Sequence, residues 1–362
     1  MLLARLLTVP LFVSVFKVFT LGLLAFVVAL AWTPILTRFL YSKSFRTKTK
    51  QKTVGGEDAP ITKQVTSGKE GTPLMGGLLV WVTVFVLGLV FAVLAELGVS
   101  EILNHLNFLF NSRQVWIPMF ALVATGLIGL VDDYCTSRGV GGNKGGGVRF
   151  SHRLIGLVIV ALIGSWWFYF KLGRDSIHIP GVGDLYLGAF YILFFVLVIV
   201  ATAVSSNETD GLDGLNGGVL LFAFGSYSFI SFFQGRTDLA AFCAAICGGL
   251  LAFLWFNIYP ARFFMGDTGA FSLGTTLGVV AMLTDTALIL PLIAFIYVIE
   301  SGSVIMQVAS KKLRGKKIFL AAPVHYHFRA IGWPESKVVM RFWIIAAVTS
   351  VVGIVMGILG GG

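Results

Sequence analysis

Apolar runs of about twenty residues, long enough to cross a bilayer core, alternate with shorter polar connections along nearly the whole chain. Runs of that kind fall at about 18–40, 75–97, 115–131, 154–172, 186–205, 217–233, 239–258, 269–283, 287–308 and 342–359. The eighth is short, and the ninth contains Pro291, which predicts a bend or break there. The polar connections are unequal. Those at 41–73, 132–153, 206–216, 259–268 and 309–341 collect Asp, Asn, His and Gly, whereas the alternate ones hold no comparable cluster. The pattern predicts an all-α polytopic membrane protein, a single integral-membrane domain over 1–362 with about ten transmembrane helices.

Composition strengthens this reading. The 362 residues are 57% hydrophobic and 12% charged, against ~25% charged in a soluble domain. The net charge is +10, and its placement carries more information than its size. Of the 27 Lys and Arg, all but Arg5, Lys17, Arg113, Lys171, Arg174 and Arg236 lie in or beside the five polar-rich connections. Basic loops stay on the cytoplasmic side, so both termini are expected in the periplasm. Cys135, Cys243 and Cys247 form no disulfide framework. A transporter would place its polar groups near the bilayer midplane. Gathered at one face, they predict an enzyme working at the cytoplasmic membrane surface.

The densest polar stretch is Asn207 to Gly218, with Glu208, Asp210, Asp213 and Asn216 between two apolar runs. Charge this close to hydrocarbon is costly and marks a functional site. Asp210 and Asp213 share a face if helical, and Asn207 and Asn216 suit a nucleobase or sugar edge. A structural turn is the plain alternative. Asp132 and Asp133 close the third run, where adjacent carboxylates repel unless a cation or proton lies between them. Asp267 precedes the eighth run and could simply cap its helix. Phe263 and Phe264 beside it offer a stacking surface, or ordinary membrane anchors. His325 and His327 stand out because the chain has only five His. Lys69, Thr72 and the glycines after them could cradle a phosphate. Asp132, Asp133, Asp210, Asp213 and Asp267 could hold Mg²⁺ with substrate phosphates completing its shell, which points to phosphoryl transfer between a nucleotide and a lipid phosphate.

Several motifs then occur in one order. They are Gly71 to Gly77 (Gly-Thr-Pro-Leu-Met-Gly-Gly), Val131-Asp132-Asp133, Asn207 to Leu215, Trp255-Phe256-Asn257, Phe264 to Asp267 and Pro323 to His327. Gly332 to Glu335 and Val339 to Trp343 follow. Over residues 69–345 the chain resembles the phospho-N-acetylmuramoyl-pentapeptide transferases, a branch of the polyprenyl-phosphate N-acetylhexosamine-1-phosphate transferases. The resemblance implies a ten-span, Mg²⁺-dependent enzyme of the bacterial inner membrane, often a homodimer. Its substrates would be UDP-N-acetylmuramoyl-pentapeptide and undecaprenyl phosphate, its products lipid I and UMP, with no nucleic-acid partner. By motif, Asp132, Asp133 and Asp267 would be the catalytic and metal acids and His325 the functional histidine. Lys69, Thr72, Asn207, Asp210, Asp213, Asn257, Phe264, Gly266 and His327 would bind substrate.

The chain departs from the family in three places. Tyr326 replaces the middle imidazole of a triple His, Glu208 stands where an apolar residue is expected, and glycines from Gly139 to Gly147 enlarge one loop. That enlargement leaves the family's loop lysines to fall on Lys144 or Arg153. A lipid phosphate with a second pKa near about 6 is already mostly dianionic at neutral pH. Charge neutralisation and in-line positioning then matter more than a general base, and Asp132 is expected as base or as metal ligand. The alternatives are a sister transferase using another UDP-N-acetylhexosamine, a lipid-linked transporter, or an inactive binding scaffold.

Overall fold

The computed structural model describes residues 2–43, 45, 69, 71–109, 114–142 and 146–360. Most of the predicted loop 41–73 and Lys144 lie outside the described residues. The chain is a helical bundle: α1 (Leu2–Ser42), α2 (Leu78–Glu96), α3 (Glu101–Leu106), α4 (Trp116–Arg138), α5 (Phe150–Trp166), α6 (Phe190–Thr209) and α7 (Leu215–Phe233). It continues with α8 (Thr237–Asn257), α9 (Gly266–Leu283), α10 (Leu290–Ile293), α11 (Phe295–Arg314), α12 (Val324–Ala330) and α13 (Glu335–Leu359). Helix therefore occupies all ten predicted positions. Among the described residues eight helices are long and apolar enough to cross a membrane, making the chain a polytopic all-α membrane protein.

The two long helices below that apolarity are informative. α9 lies at the centre, packed against α4, α6 and α7, and all its residues but Asp267 are buried. It uses small residues in place of bulky ones. A Cβ on Gly274 would sit 2.7 Å from the Ser206 Cβ, and one on Gly278 2.6 Å from the Thr202 Oγ1. Where lipid offers no hydrophobic drive between helices, close backbone approach supplies the packing. α11 carries Glu300 and the basic tail Lys311, Lys312 and Arg314. The predicted break in the ninth run falls at Ala294, three residues after Pro291, separating α10 from α11.

Some element ends differ from expectation. Asp132 and Asp133 do not close their helix, since α4 continues to Arg138 and stops at Gly139, whose φ of +69° permits the left-handed turn. The connection is thus 139–149, shorter than 132–153. Likewise Asn207 to Thr209 belong to α6, and Val324 to Ala330 form α12 within the predicted loop 309–341. Helix persists past these polar residues because other elements satisfy their side chains. A two-stranded antiparallel hairpin, β1 (Ser176–Ile179) with β2 (Gly183–Tyr186), was also not foreseen. A lone hairpin is marginal in water. This one is fastened by His178, whose Nδ1 lies 2.7 Å from Asp184 Oδ1 and whose Nε2 bonds the Gly360 carbonyl beyond α13.

Candidate active site

The centre of the site is built at the start of α9. The first backbone N–H groups of a helix lack internal partners. The Asp267 and Thr268 amides each donate to Asp133, at 3.0 Å to Oδ1 and 3.0 Å to Oδ2. The Gly266 amide donates to Asp210 Oδ2 at 3.2 Å. Capping is therefore done by Asp133 from α4 and Asp210 from the α6–α7 corner, not by Asp267, which belongs to the first turn. Gly266 has φ +71°, and a Cβ there would approach Asp133 Oδ2 to 2.4 Å. Only glycine allows the carboxylate this close.

With α9 anchored on Asp133, Asp267 is carried beside Asp132. Oxygens of Asp132, Asp133 and Asp267 lie within 4.8 Å of one another, a set that could hold a metal ion. Asp132 and Asp133 are buried, and Asp267 is half-buried. Arg153, on the first turn of α5, bridges Asp132 Oδ2 at 3.3 Å and Asp267 Oδ2 more closely. Asn207 Nδ2 donates to Asp267 Oδ1 at 2.7 Å. The glycine-rich 139–149 connection turns back so that the Val148 amide donates to Asp132 Oδ1 at 2.6 Å. Three oxygen-donor carboxylates with one guanidinium among them fit a hard divalent cation.

A second charged cluster adjoins the first. Lys69 Nζ lies 2.6 Å from Asp213 Oδ1 and 2.5 Å from Glu335 Oε1, and it also faces the Phe264 ring at 5.8 Å. Glu335 further accepts the Asp213 amide at 2.8 Å, and the Ala261 amide donates to Asp213 Oδ2 at 3.0 Å. The Thr72 amide donates to the Lys69 carbonyl at 3.3 Å. A phosphate cradle of glycine amides does not form, because Gly76 and Gly77 donate to the Phe264 and Met265 carbonyls. Phe263 is fully buried against Phe253 and Phe256, leaving Phe264 as the half-buried ring.

Other predicted residues take structural positions. Asn257 is buried, accepting from the Gly214 amide at 2.9 Å and donating to the Phe263 carbonyl at 2.8 Å, so it braces two loops. Asn216 is equally internal, bonded to Ser206, Met265 and Tyr297. His325 is fully buried with Nδ1 2.9 Å from Glu300 Oε2, and its Nε2 abuts Gly211. His327 is not brought alongside it. Its Nδ1 accepts the Leu320 amide at 3.3 Å and its ring packs on Phe319, since residues two apart on a helix point in different directions.

Sequence reasoning missed the partners. Arg153 entered only as an alternative to Lys144, Glu335 only as a motif position, and Glu300 not at all. Glu300 was detectable as a lone acid inside an apolar run. Glu208, half-buried near the end of α6, accepts from Ser301 Oγ at 2.6 Å.

Residues 115–285 match the family model of glycosyl transferase family 4. A phospho-N-acetylmuramoyl-pentapeptide-transferase of Geobacillus sp. (strain WCH70) is 34% identical over 337 residues, covering 92% of this chain and 95% of the relative. One of Levilactobacillus brevis is 36% identical over 329 residues, covering 91% and 95%. One of Rickettsia akari is 36% identical over 342 residues, covering 89% and 87%. Fold and site together define a membrane-embedded transferase. The chain belongs to the phospho-N-acetylmuramoyl-pentapeptide-transferase family.

Proposed function

We propose that the chain transfers phospho-N-acetylmuramoyl-pentapeptide from its UDP donor to undecaprenyl phosphate, releasing UMP and forming lipid I. The observation that carries this reading is the convergence of Asp132, Asp133 and Asp267 with Arg153 at one end of the bundle. Mg²⁺, held by the three acids, would neutralise donor diphosphate charge. Arg153 would steer the phosphates, and Asp132, with one oxygen on the Val148 amide and the other on Arg153, would orient the attacking lipid phosphate. The Lys69–Asp213–Glu335 cluster, Phe264 and Asn207 would form the nucleotide side, with Thr72, Asp210, Asn257 and Gly266 shaping its walls. His325, buried on Glu300 with Nε2 against Gly211, would hold the Gly211 turn at the edge of that pocket, while His327 supports the loop. We further propose ten spans with both termini periplasmic, placing this end at the cytoplasmic face of the bacterial inner membrane, and a homodimer.

The test is UMP release from UDP-N-acetylmuramoyl-pentapeptide by the purified full-length protein, with undecaprenyl phosphate and Mg²⁺ present. Chelation should abolish release and Mg²⁺ restore it. Release from UDP-N-acetylglucosamine instead would transfer the assignment to a sister enzyme.

A further inference from the structure

A hollow opens on the side of the bundle, and it shares no residue with the acid cluster. It has a volume of about 410 Å³ and lies between the last turns of α1 and the Phe256–Arg262 corner. Thr37, Arg38, Tyr41, Phe256 and Arg262 line it. Ile35 and Phe39, on the same turns of α1, are 69% and 47% exposed and face where lipid would lie. The hollow therefore opens at the level where hydrocarbon gives way to headgroups, on the strongly basic side of the chain.

Its hydrogen-bonding inventory is one-sided. Thr33 and Thr37 donate their hydroxyls to the Ala29 and Thr33 carbonyls at 2.7 and 2.8 Å. Tyr41 donates to the Arg262 carbonyl at 2.9 Å, and the Arg262 amide to the Phe256 carbonyl at 2.8 Å. The neutral donors of the wall are thus engaged internally. The guanidinium groups of Arg38 and Arg262 remain, and among the described residues neither is ion-paired with a carboxylate, Arg262 lying over the Phe256 ring at 5.8 Å. A guanidinium presents N–H donors in a fork that matches phosphate oxygens. Basic pockets between spanning helices on the cytoplasmic side suit anionic headgroups.

We propose that this hollow binds the phosphate of an anionic lipid headgroup, with Arg38 and Arg262 as its ligands. The bound phosphate bridges α1 to the corner that Tyr41 already fastens, and that corner runs directly into Phe264 and Asp267. The site would thus link the composition of the surrounding leaflet to the segment that positions the acids.

The test is native mass spectrometry of the full-length protein, delipidated in a zwitterionic detergent and titrated with dioleoylphosphatidylglycerol, dioleoylphosphatidylcholine or inorganic phosphate. The expected result is preferential retention of phosphatidylglycerol, with Kd raised at least tenfold in Arg38→Gln/Arg262→Gln. Hydrogen exchange on the unmodified protein provides the second measurement, and phosphatidylglycerol should slow it across 37–43 and 258–265. Equal retention of phosphatidylcholine, an unchanged Kd in the double variant, or no slowing of exchange would overturn the proposal. Inorganic phosphate binding as tightly as the lipid would overturn the headgroup assignment.

Discussion

Replacing Gly129 by Ala tests whether the approach of α4 to α9 sets the geometry of the acids. A Cβ at Gly129 would lie 2.2 Å from the Asp267 carbonyl oxygen and 2.5 Å from the Thr268 nitrogen, whereas ordinary contact begins at 3.4 Å. The obstacle is backbone, which cannot swing aside as a side chain can. The helices must part by about 1 Å at this level, and overpacking of that kind costs ~1–3 kcal/mol. Asp133 would then stand about 4 Å from the Asp267 and Thr268 amides, beyond hydrogen-bond reach, and the start of α9 would lose its cap. A displacement of ~1 Å at reacting groups costs ~10²-fold in rate. The assay is UMP release at saturating substrates, alongside the melting temperature in detergent. Gly225→Ala is the control, because a Cβ at Gly225 in α7 meets nothing within 4 Å. It should leave activity unchanged and, by helix propensity, gain ~0.5–1 kcal/mol of stability. We expect Gly129→Ala to lose at least tenfold in rate. Activity within twofold of the control would refute the argument that this contact sets the site.

Four further outcomes follow from the same contacts. Lys69→Met leaves buried Asp213 and Glu335 facing each other without their cation. Stability should fall by ~3 kcal/mol, and adding Glu335→Gln should recover part of the loss in thermal unfolding. Glu300→Ala strands the buried His325 Nδ1 at a cost of ~1–3 kcal/mol, whereas Glu300→Gln keeps an acceptor and should retain most of the melting temperature. Arg153→Met removes the cation between Asp132 and Asp267, so its melting temperature should climb with added Mg²⁺ more steeply than the parent's. The hydrogen bond that the His178 imidazole donates to Asp184 raises its pKa above the ordinary 6.5, with the Gly360 carbonyl adding to the shift. That support for the hairpin is fully present below the ordinary value and lost as pH climbs through the raised one. An NMR titration should place the midpoint above 6.5 and find it lowered in Asp184→Asn.

Run length alone located helix at all ten expected positions, because a bilayer admits few alternatives to a helix of about twenty apolar residues. Helix ends were less legible. Polar residues such as Asp132, Asp133 and Asn207 look like loop in one dimension, yet each is satisfied by another element and the helix runs on. The hairpin at 176–186 escaped because each strand has only four residues, too few for an alternation to register. At the site, the cost of charge near hydrocarbon singled out the acids but not their division of labour. Asp133 caps α9 across 134 residues of sequence, a relation no local pattern contains. His327 could have been separated from His325 had the segment been read as helix.

Donors from other elements explain how these acids can be assembled in advance of any ligand. Two unit charges at 4 Å repel by ~4 kcal/mol at an effective dielectric of ~20, so three carboxylates within 4.8 Å would otherwise oppose folding. Each is held by a different device. Asp133 spends both oxygens on the amides at the start of α9, where the helix dipole also favours negative charge. Asp132 takes the Val148 amide and shares Arg153, and Asp267 takes Asn207 and the same Arg153. With all three ionised, one guanidinium leaves two negative charges uncompensated by side chains. That remainder equals the charge of one divalent cation, and Asp132 and Asp267 are the acids whose side-chain partners a substrate phosphate could draw away. The protein thus holds its framework on Asp133, and on the proposed reading Asp132 and Asp267 would be the acids free to turn from their shared Arg153 toward a bound cation.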